Sequence, residues 1–163
     1  MININETDTW GSAAIGNPSL CRARAYIYCG YSRRIRVAYI GMTVGRNGVL
    51  GRWADHLGRA LERSSFRRRV HEFDESAWEQ IDDLVIVWSE IGEESVFLAA
   101  ETSHRESVEY LVQREMRNIL AAENAPITVV SKVRSNPTAQ LALVKNAADR
   151  VLNAFRKHFS ADA

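Results

Sequence analysis

The chain has 163 residues, 46% of them hydrophobic, and a formal net charge of +1, which predicts one domain around one sizeable core. No run approaches the roughly 18 consecutive apolar residues of a membrane span, and the opening stretch MININETDTWGSAAIG lacks both a basic and an apolar leader region, so a soluble cytoplasmic protein with no membrane contact is expected. Cys21 and Cys29 match no zinc spacing and make no disulfide framework, which excludes a cysteine-stapled scaffold and predicts free thiols in a reducing compartment.

Charge is distributed unevenly along the chain. Residues 1–71 hold 12 Lys/Arg and 4 Asp/Glu, residues 72–123 hold 3 and 14, and residues 124–163 hold 6 and 2. Of the 21 basic residues 18 are arginine, the side chain whose planar fork suits phosphate, and RRIR and FRRRVH concentrate them. A polyanion partner fits the basic first third, although an arginine-rich solvated surface has the same composition.

In chain order, RAYIYCG (24–30) and IRVAYIG (35–41) are rich in β-formers and close enough for a hairpin through YSRR. Asn47 is positioned to cap a helix running to about Glu62, a second helix is expected over 65–82, and DDLVIVWSEIG reads as a buried strand. A long helix follows over 104 to about 122, with Ser103 and Glu106 spaced as a capping box at its start. APITVVSKV is a short strand or an extended connection, and residues 138–159 form an amphipathic helix bearing Leu141, Val144, Ala148, Val151, Leu152, Phe155 and Phe159. The pattern is α/β in the α+β sense: a small central antiparallel sheet flanked by helices, with an extra C-terminal helix beyond about residue 136.

Helical angles single out several polar residues. At 100° per residue from Val49, the apolar positions Val49, Leu50, Trp53, Ala54, Leu57, Ala60 and Leu61 fall between roughly 0° and 140°, while Arg52, His56, Arg59 and Arg63 cluster between roughly 280° and 340°. Three arginines and a histidine in one stripe beside an apolar face make a candidate phosphate site. On the long helix, measured from Val108, Glu109 lands at roughly 100°, inside the apolar stripe, and Glu115 at roughly 340° is the alternative. A carboxylate in that position needs an arginine or a metal ion as partner.

Taken together, these residues resemble the core of a GIY-YIG nuclease. Tyr26-Ile27-Tyr28 stands where that family has Gly-Ile-Tyr, Tyr39-Ile40-Gly41 reproduces the second motif, and Met42-Thr43 continues the likeness. Leu50-x-Arg52-x-x-x-His56 resembles the family's arginine helix, and Glu109 in VEYLVQRE its metal-binding glutamate. Tyr26 in place of glycine is a departure that a strand tolerates. The 52 residues between His56 and Glu109 imply an inserted helix and acidic stretch. For the family's asparagine both Asn124 and Asn136 qualify, and the turn sequence RSNPT favours Asn136.

The resemblance implies a metal-dependent endonuclease of DNA with a nuclease core over 24–136. In it Glu109 holds Mg²⁺ (or Mn²⁺), Arg52 clamps the scissile phosphate, and Tyr28 or Tyr39 positions or deprotonates water. His56, with a reference pKa near ~6.5, is expected to accept the tyrosine or water proton. Arg33, Arg34, Arg36, Arg46, Arg59 and Arg63 are the expected phosphate contacts. A stand-alone restriction-type enzyme is one expectation, and a homodimer on DNA one arrangement for cutting both strands. Two other classes fit the same residues: a nucleic-acid-binding module of the same fold without chemistry, and an interaction domain using the acidic 72–123 region.

Overall fold

A computed structural model describes residues 10–12, 24–45, 47–58, 65–122 and 126–161. In chain order its strands are β1 (Trp10–Ser12), β2 (Tyr26–Ser32), β3 (Val37–Thr43), β4 (Val85–Glu90) and β5 (Thr128–Val129). Its helices are α1 (Gly48–Leu57), α2 (Ser65–Phe73), α3 (Ser95–Leu98), α4 (Ser103–Ala121) and α5 (Ala142–Ala161), with 3₁₀ turns at Ala77–Gln80 and Pro137–Gln140.

The strands form one sheet in the order β1-β4-β2-β3-β5. An all-antiparallel sheet was the expectation, and three pairings obey it, but β5 pairs with β3 in parallel. The reason is connectivity: the chain leaves the sheet, runs through α4 and re-enters at the far edge, as parallel neighbours require a long crossover. β1 lies before the expected start of the core at residue 24 and pairs with β4. The architecture is α+β, a mixed sheet with helices on both faces.

The β2–β3 hairpin turns at Arg33–Arg36, with Arg36 at φ 53°, and carries no Asn-Gly. A carboxylate from elsewhere replaces that local signal: Asp83 accepts the backbone N–H of Arg33 (2.9 Å) and Arg34 (3.0 Å) and the Ser32 hydroxyl. Arg34 pairs with Asp82 beside it.

Every residue of β2 is buried because both faces of the sheet are covered. Period-two alternation sends Ala25, Ile27, Cys29, Tyr31, Ala38 and Ile40 into a core under α4 and α5. Tyr26, Tyr28, Val37, Tyr39 and Trp88 face the other way, against Val49 and Trp53 of α1 and Phe66 and Val70 of α2. The C-terminal helix is therefore part of the main core: Val144, Ala148, Val151, Leu152, Phe155 and Phe159 are buried as its periodicity predicts. Leu141 is 45% exposed instead, since it precedes the helix.

Helix ends differ from expectation where local polar groups intervene. Helix α1 stops at Leu57 with Gly58 extended, and Asn47 makes no side-chain cap. The helix expected over 65–82 breaks after Phe73, where Asp74 accepts the N–H and hydroxyl of Ser76, each at 2.9 Å. At the start of α4 the Thr102 hydroxyl donates to Glu106 at 2.7 Å, and Glu101 accepts the Ser103 N–H, so the Ser103–Glu106 capping box does not form.

The register sets Tyr28 opposite Gly41 and Tyr39 opposite Gly30. A Cβ on Gly41 would lie 2.4 Å from the Tyr28 hydroxyl, and one on Gly30 would lie 2.1 Å from the Trp53 ring. Both glycines are required for room rather than for a special backbone. Gly30→Ala and Gly41→Ala are each expected to destabilise the fold by about 1–3 kcal/mol. Gly30→Ala should cost more, because the Trp53 indole is enclosed. Urea unfolding midpoints check both.

Candidate functional site

The helix after β3 turns an unexpected face inward. In α1, Val49 and Trp53 are buried as the apolar stripe predicts, but His56 is buried with them, Arg52 is half-buried and Leu57 is 49% exposed, so the inner face is shifted toward the polar stripe. Its partner explains this: the sheet below presents two phenols, which offer hydrogen-bonding groups that a leucine cannot use. His56 is fully buried within an aromatic box, with ring centroids 5.7 Å from Tyr28, 5.1 Å from Tyr39 and 5.1 Å from Trp53.

The hydrogen bonds of His56 determine its protonation. The Phe66 backbone N–H donates to Nδ1 at 3.4 Å, and Nε2 lies 2.8 Å from the Tyr28 oxygen. Burial first, and the Arg52 charge second, hold the imidazole pKa down to about 3, so the ring is neutral. With Nδ1 accepting, the single ring proton is on Nε2 and is donated to Tyr28. His56 is thus a donor in this arrangement, not the proton acceptor that the sequence led us to expect.

Tyr28 and Tyr39 stack with centroids 6.4 Å apart. Burial raises the pKa of both above the usual phenol value, and the nearby Arg52 charge works against that rise. Arg52 donates to the Ser65 hydroxyl at 3.2 Å and lies 3.8 Å from Asp55, which fixes the guanidinium beside the phenols. Two donors, His56 Nε2–H and Arg52, therefore bear on one phenol oxygen.

Glu109 belongs to α4, on the opposite face of the sheet, and reaches this cluster around an open edge. β5 pairs with β3 only at Val37 and Ala38. Beyond that, side chains serve the β3 edge: Ser131 Oγ accepts the Ile40 N–H at 3.0 Å, and Gln113 Nε2 donates to the Ile40 carbonyl at 3.2 Å. The same Gln113 nitrogen donates to Glu109 Oε1 at 2.9 Å. Desolvation, and then repulsion from Glu106, push the Glu109 carboxyl up to about 8 against the opposing effects of Gln113 and Arg52. Its charge in turn raises both tyrosines, so the carboxyl and the phenols share one electrostatic site.

Among the described residues no three His, Cys, Asp or Glu side chains converge on a metal-binding group, and Glu109 is the one carboxylate of this cluster that could serve a cation. Next to Glu109, Gln113 Oε1 is buried without a hydrogen-bond partner among the described residues.

Tyr28, Tyr39, Arg52, His56 and Glu109 are thus brought together. Asn136 is not with them: its Oδ1 accepts from Ser107 at 2.6 Å and from the Thr138 N–H at 3.0 Å, and its amide donates to the Ser103 carbonyl at 3.1 Å. Ser103 and Ser107 lie on the far side of α4 from Glu109 by helical angle, so this asparagine anchors the 3₁₀ turn to α4. Glu115 pairs with Arg114 at 2.8 Å and borders the groove between α4 and α5. Asn124, Arg46, Arg59 and Arg63 lie outside the described residues. Arg33, Arg34 and Arg36 are exposed at the hairpin turn, with Arg33 over the Tyr31 ring at 5.8 Å. Sequence reasoning missed Gln113 and Ser65; the first stands four residues after Glu109, a spacing at which a glutamine can meet a carboxylate on a helix.

Among known proteins, no family model matches the chain, and no curated protein or solved structure is detectably similar to it. Among the described residues no helix is long and apolar enough to cross a membrane.

The two buried groups titrate with opposite signs. His56, held down to about 3 against 6.5 when unfolded, makes stability fall as pH drops below 6.5. Glu109, held up to about 8 against 4.5, makes stability fall as pH rises from 4.5 to 8. Each slope is at most about 1.4 kcal/mol per pH unit. Between pH ~4.5 and ~6.5 they oppose each other. In EDTA, urea unfolding of His56→Gln should show stability decreasing with rising pH across that window, and Glu109→Gln the reverse. Parallel pH profiles for the two variants would contradict the assigned states.

Proposed function

We propose that the chain is a metal-dependent DNA endonuclease of GIY-YIG type. The observation that carries the reading is the 2.8 Å contact between Tyr28 and a buried neutral His56, with Arg52 on the same phenol and the Glu109 carboxyl across the open edge of β3. A cluster that combines a cation, two phenols and a carboxyl poised for a divalent ion matches the needs of phosphodiester hydrolysis. Those needs are charge neutralisation at the phosphoryl oxygens, an oriented water and a stabilised leaving oxygen.

In this reading Arg52 binds the scissile phosphate, and its contact with Ser65 keeps it oriented before substrate arrives. Tyr28, after losing its phenol proton to solvent, takes the proton of the attacking water; burial opposes that ionisation, and His56 Nε2–H and Arg52 favour it as donors to the phenolate. Tyr39 packs on the same box and lines the approach. Glu109, oriented by Gln113, would hold Mg²⁺ or Mn²⁺. Such an ion supplies Lewis-acid stabilisation of charge on the leaving 3′ oxygen. A restriction-type role, two copies acting on two strands, and a cytoplasmic location are the biological setting this reading favours.

Purified protein incubated with supercoiled plasmid and Mg²⁺ should nick or linearise it, and EDTA should prevent this. Arg52→Ala and Glu109→Gln should each lower the rate at least about 100-fold, the scale for losing a transition-state contact. Cutting at the wild-type rate by either variant would remove that residue from the site. A retarded plasmid band with no cutting by the wild type would favour the non-catalytic binding module. At saturating Mg²⁺ the rate should climb with pH from ~6 to ~9 as the phenolate fraction grows, with no inflection near ~6.5. An inflection there would make a histidine the base.

A further inference from the structure

Three elements distant in sequence converge beside the site on a second basic feature. Arg69 of α2, Arg117 of α4 and Lys132 just after β5 line a groove of about 340 Å³, floored by Thr128, Val129 and Val130. One carboxylate, Glu72, lies among them, 2.6 Å from Arg69 and 3.9 Å from Lys132, and Arg68 stands 4.0 Å from it. Three cations against one anion leave the described lining at +2, with Arg68 beside it. Arg117 donates to the Ser131 carbonyl at 3.0 Å, which lays its guanidinium along the groove, and Lys132 is largely solvated. Phe73, 48% exposed, forms one wall.

The groove is continuous with the candidate site through α2. The first residues of that helix, Ser65 and Phe66, hold Arg52 and His56. Arg69 follows one turn later, and its charge acts on Tyr39. Four residues of helix advance about 6 Å, so Arg69 stands one turn along α2 from Ser65, the residue that holds Arg52.

We propose that this groove is the track for the phosphate backbone of double-stranded DNA flanking the scissile bond, with Arg69, Arg117 and Lys132 as its contacts. The inference rests on the nuclease reading for its choice of ligand. It assigns the backbone contact to α2, α4 and the segment after β5, in addition to the arginines of the hairpin turn. Glu72 acts in the opposite sense: it orders the cations and weakens the attraction for phosphate.

The test is fluorescence anisotropy with a short labelled DNA duplex, without divalent ion, over roughly 50 to 200 mM KCl. Lys132→Ala and Arg117→Ala should each weaken binding, and each should reduce the slope of log affinity against log salt by about 0.9. Glu72→Gln should tighten binding at every salt concentration, a change that loss of packing would not produce. If the wild type binds and all three variants keep its affinity and slope, the track is wrong while the nuclease reading stands. Plasmid cutting by the wild type decides that reading separately. A wild type that fails to bind duplex even at the lowest salt overturns the track, whatever the plasmid assay returns for the nuclease reading.

Discussion

The register between β2 and β3 is the constraint on which the rest of the structure depends. It places each tyrosine of the pair opposite a glycine, Tyr28 against Gly41 and Tyr39 against Gly30. A large ring can then lie flat over the neighbouring strand, and a second layer of rings can descend onto it. A slip of one residue would send both phenols into the aliphatic core under α4 and α5, where nothing could satisfy their hydroxyls. The empty positions matter as much as the filled ones: the Trp53 indole occupies the volume above Gly30, and α1 is drawn down with it.

Once α1 is seated, the inward placement of His56 follows from hydrogen-bond accounting. A buried imidazole without partners would be costly, and both of its nitrogens are used, one by the Phe66 backbone and one by Tyr28. That bond ties three elements, β2, α1 and the first turn of α2, to a single ring. Its low pKa is then a consequence of packing rather than a separate property. The same low-dielectric setting keeps Glu109 uncharged over much of the neutral range and makes the Arg52 charge effective over the whole cluster.

The sheet separates two tasks by its faces and its edges. One face carries the aliphatic core with α4 and α5; the other carries an aromatic core with α1 and α2, into which His56 is set. Glu109 joins the second face although its helix packs on the first, because β5 is only two residues long and leaves the β3 edge open beyond Ala38. Where a longer strand would have closed that edge, Gln113 and Ser131 finish its hydrogen bonds with side chains. From that edge the Glu109 charge acts on both phenols. Arg69, Arg117 and the solvated Lys132 gather at the same edge, beside the half-buried Arg52 cluster.

Local pattern determined much of this on its own. Alternating β-formers with YIY and YIG specified the central hairpin, the 3.6-residue period specified α4 and α5, and a carboxylate inside an apolar stripe marked Glu109 as a group in need of a partner. Those features depend on neighbours a few residues apart, so they are readable from the order of residues. What depended on distant chain segments was not readable. Asp83 holding a turn that has no turn signal, the burial of His56 against the phenols, the tautomer of His56 set by Phe66, and the anchoring role of Asn136 all require knowing what lies opposite. The basic groove is the clearest case, since Arg117 sits in the acidic third of the chain and becomes part of a positive surface only when α4 brings it beside Arg69 and Lys132. Charge acts through space and the sequence orders it along a line, so tertiary structure alone decides which charges add.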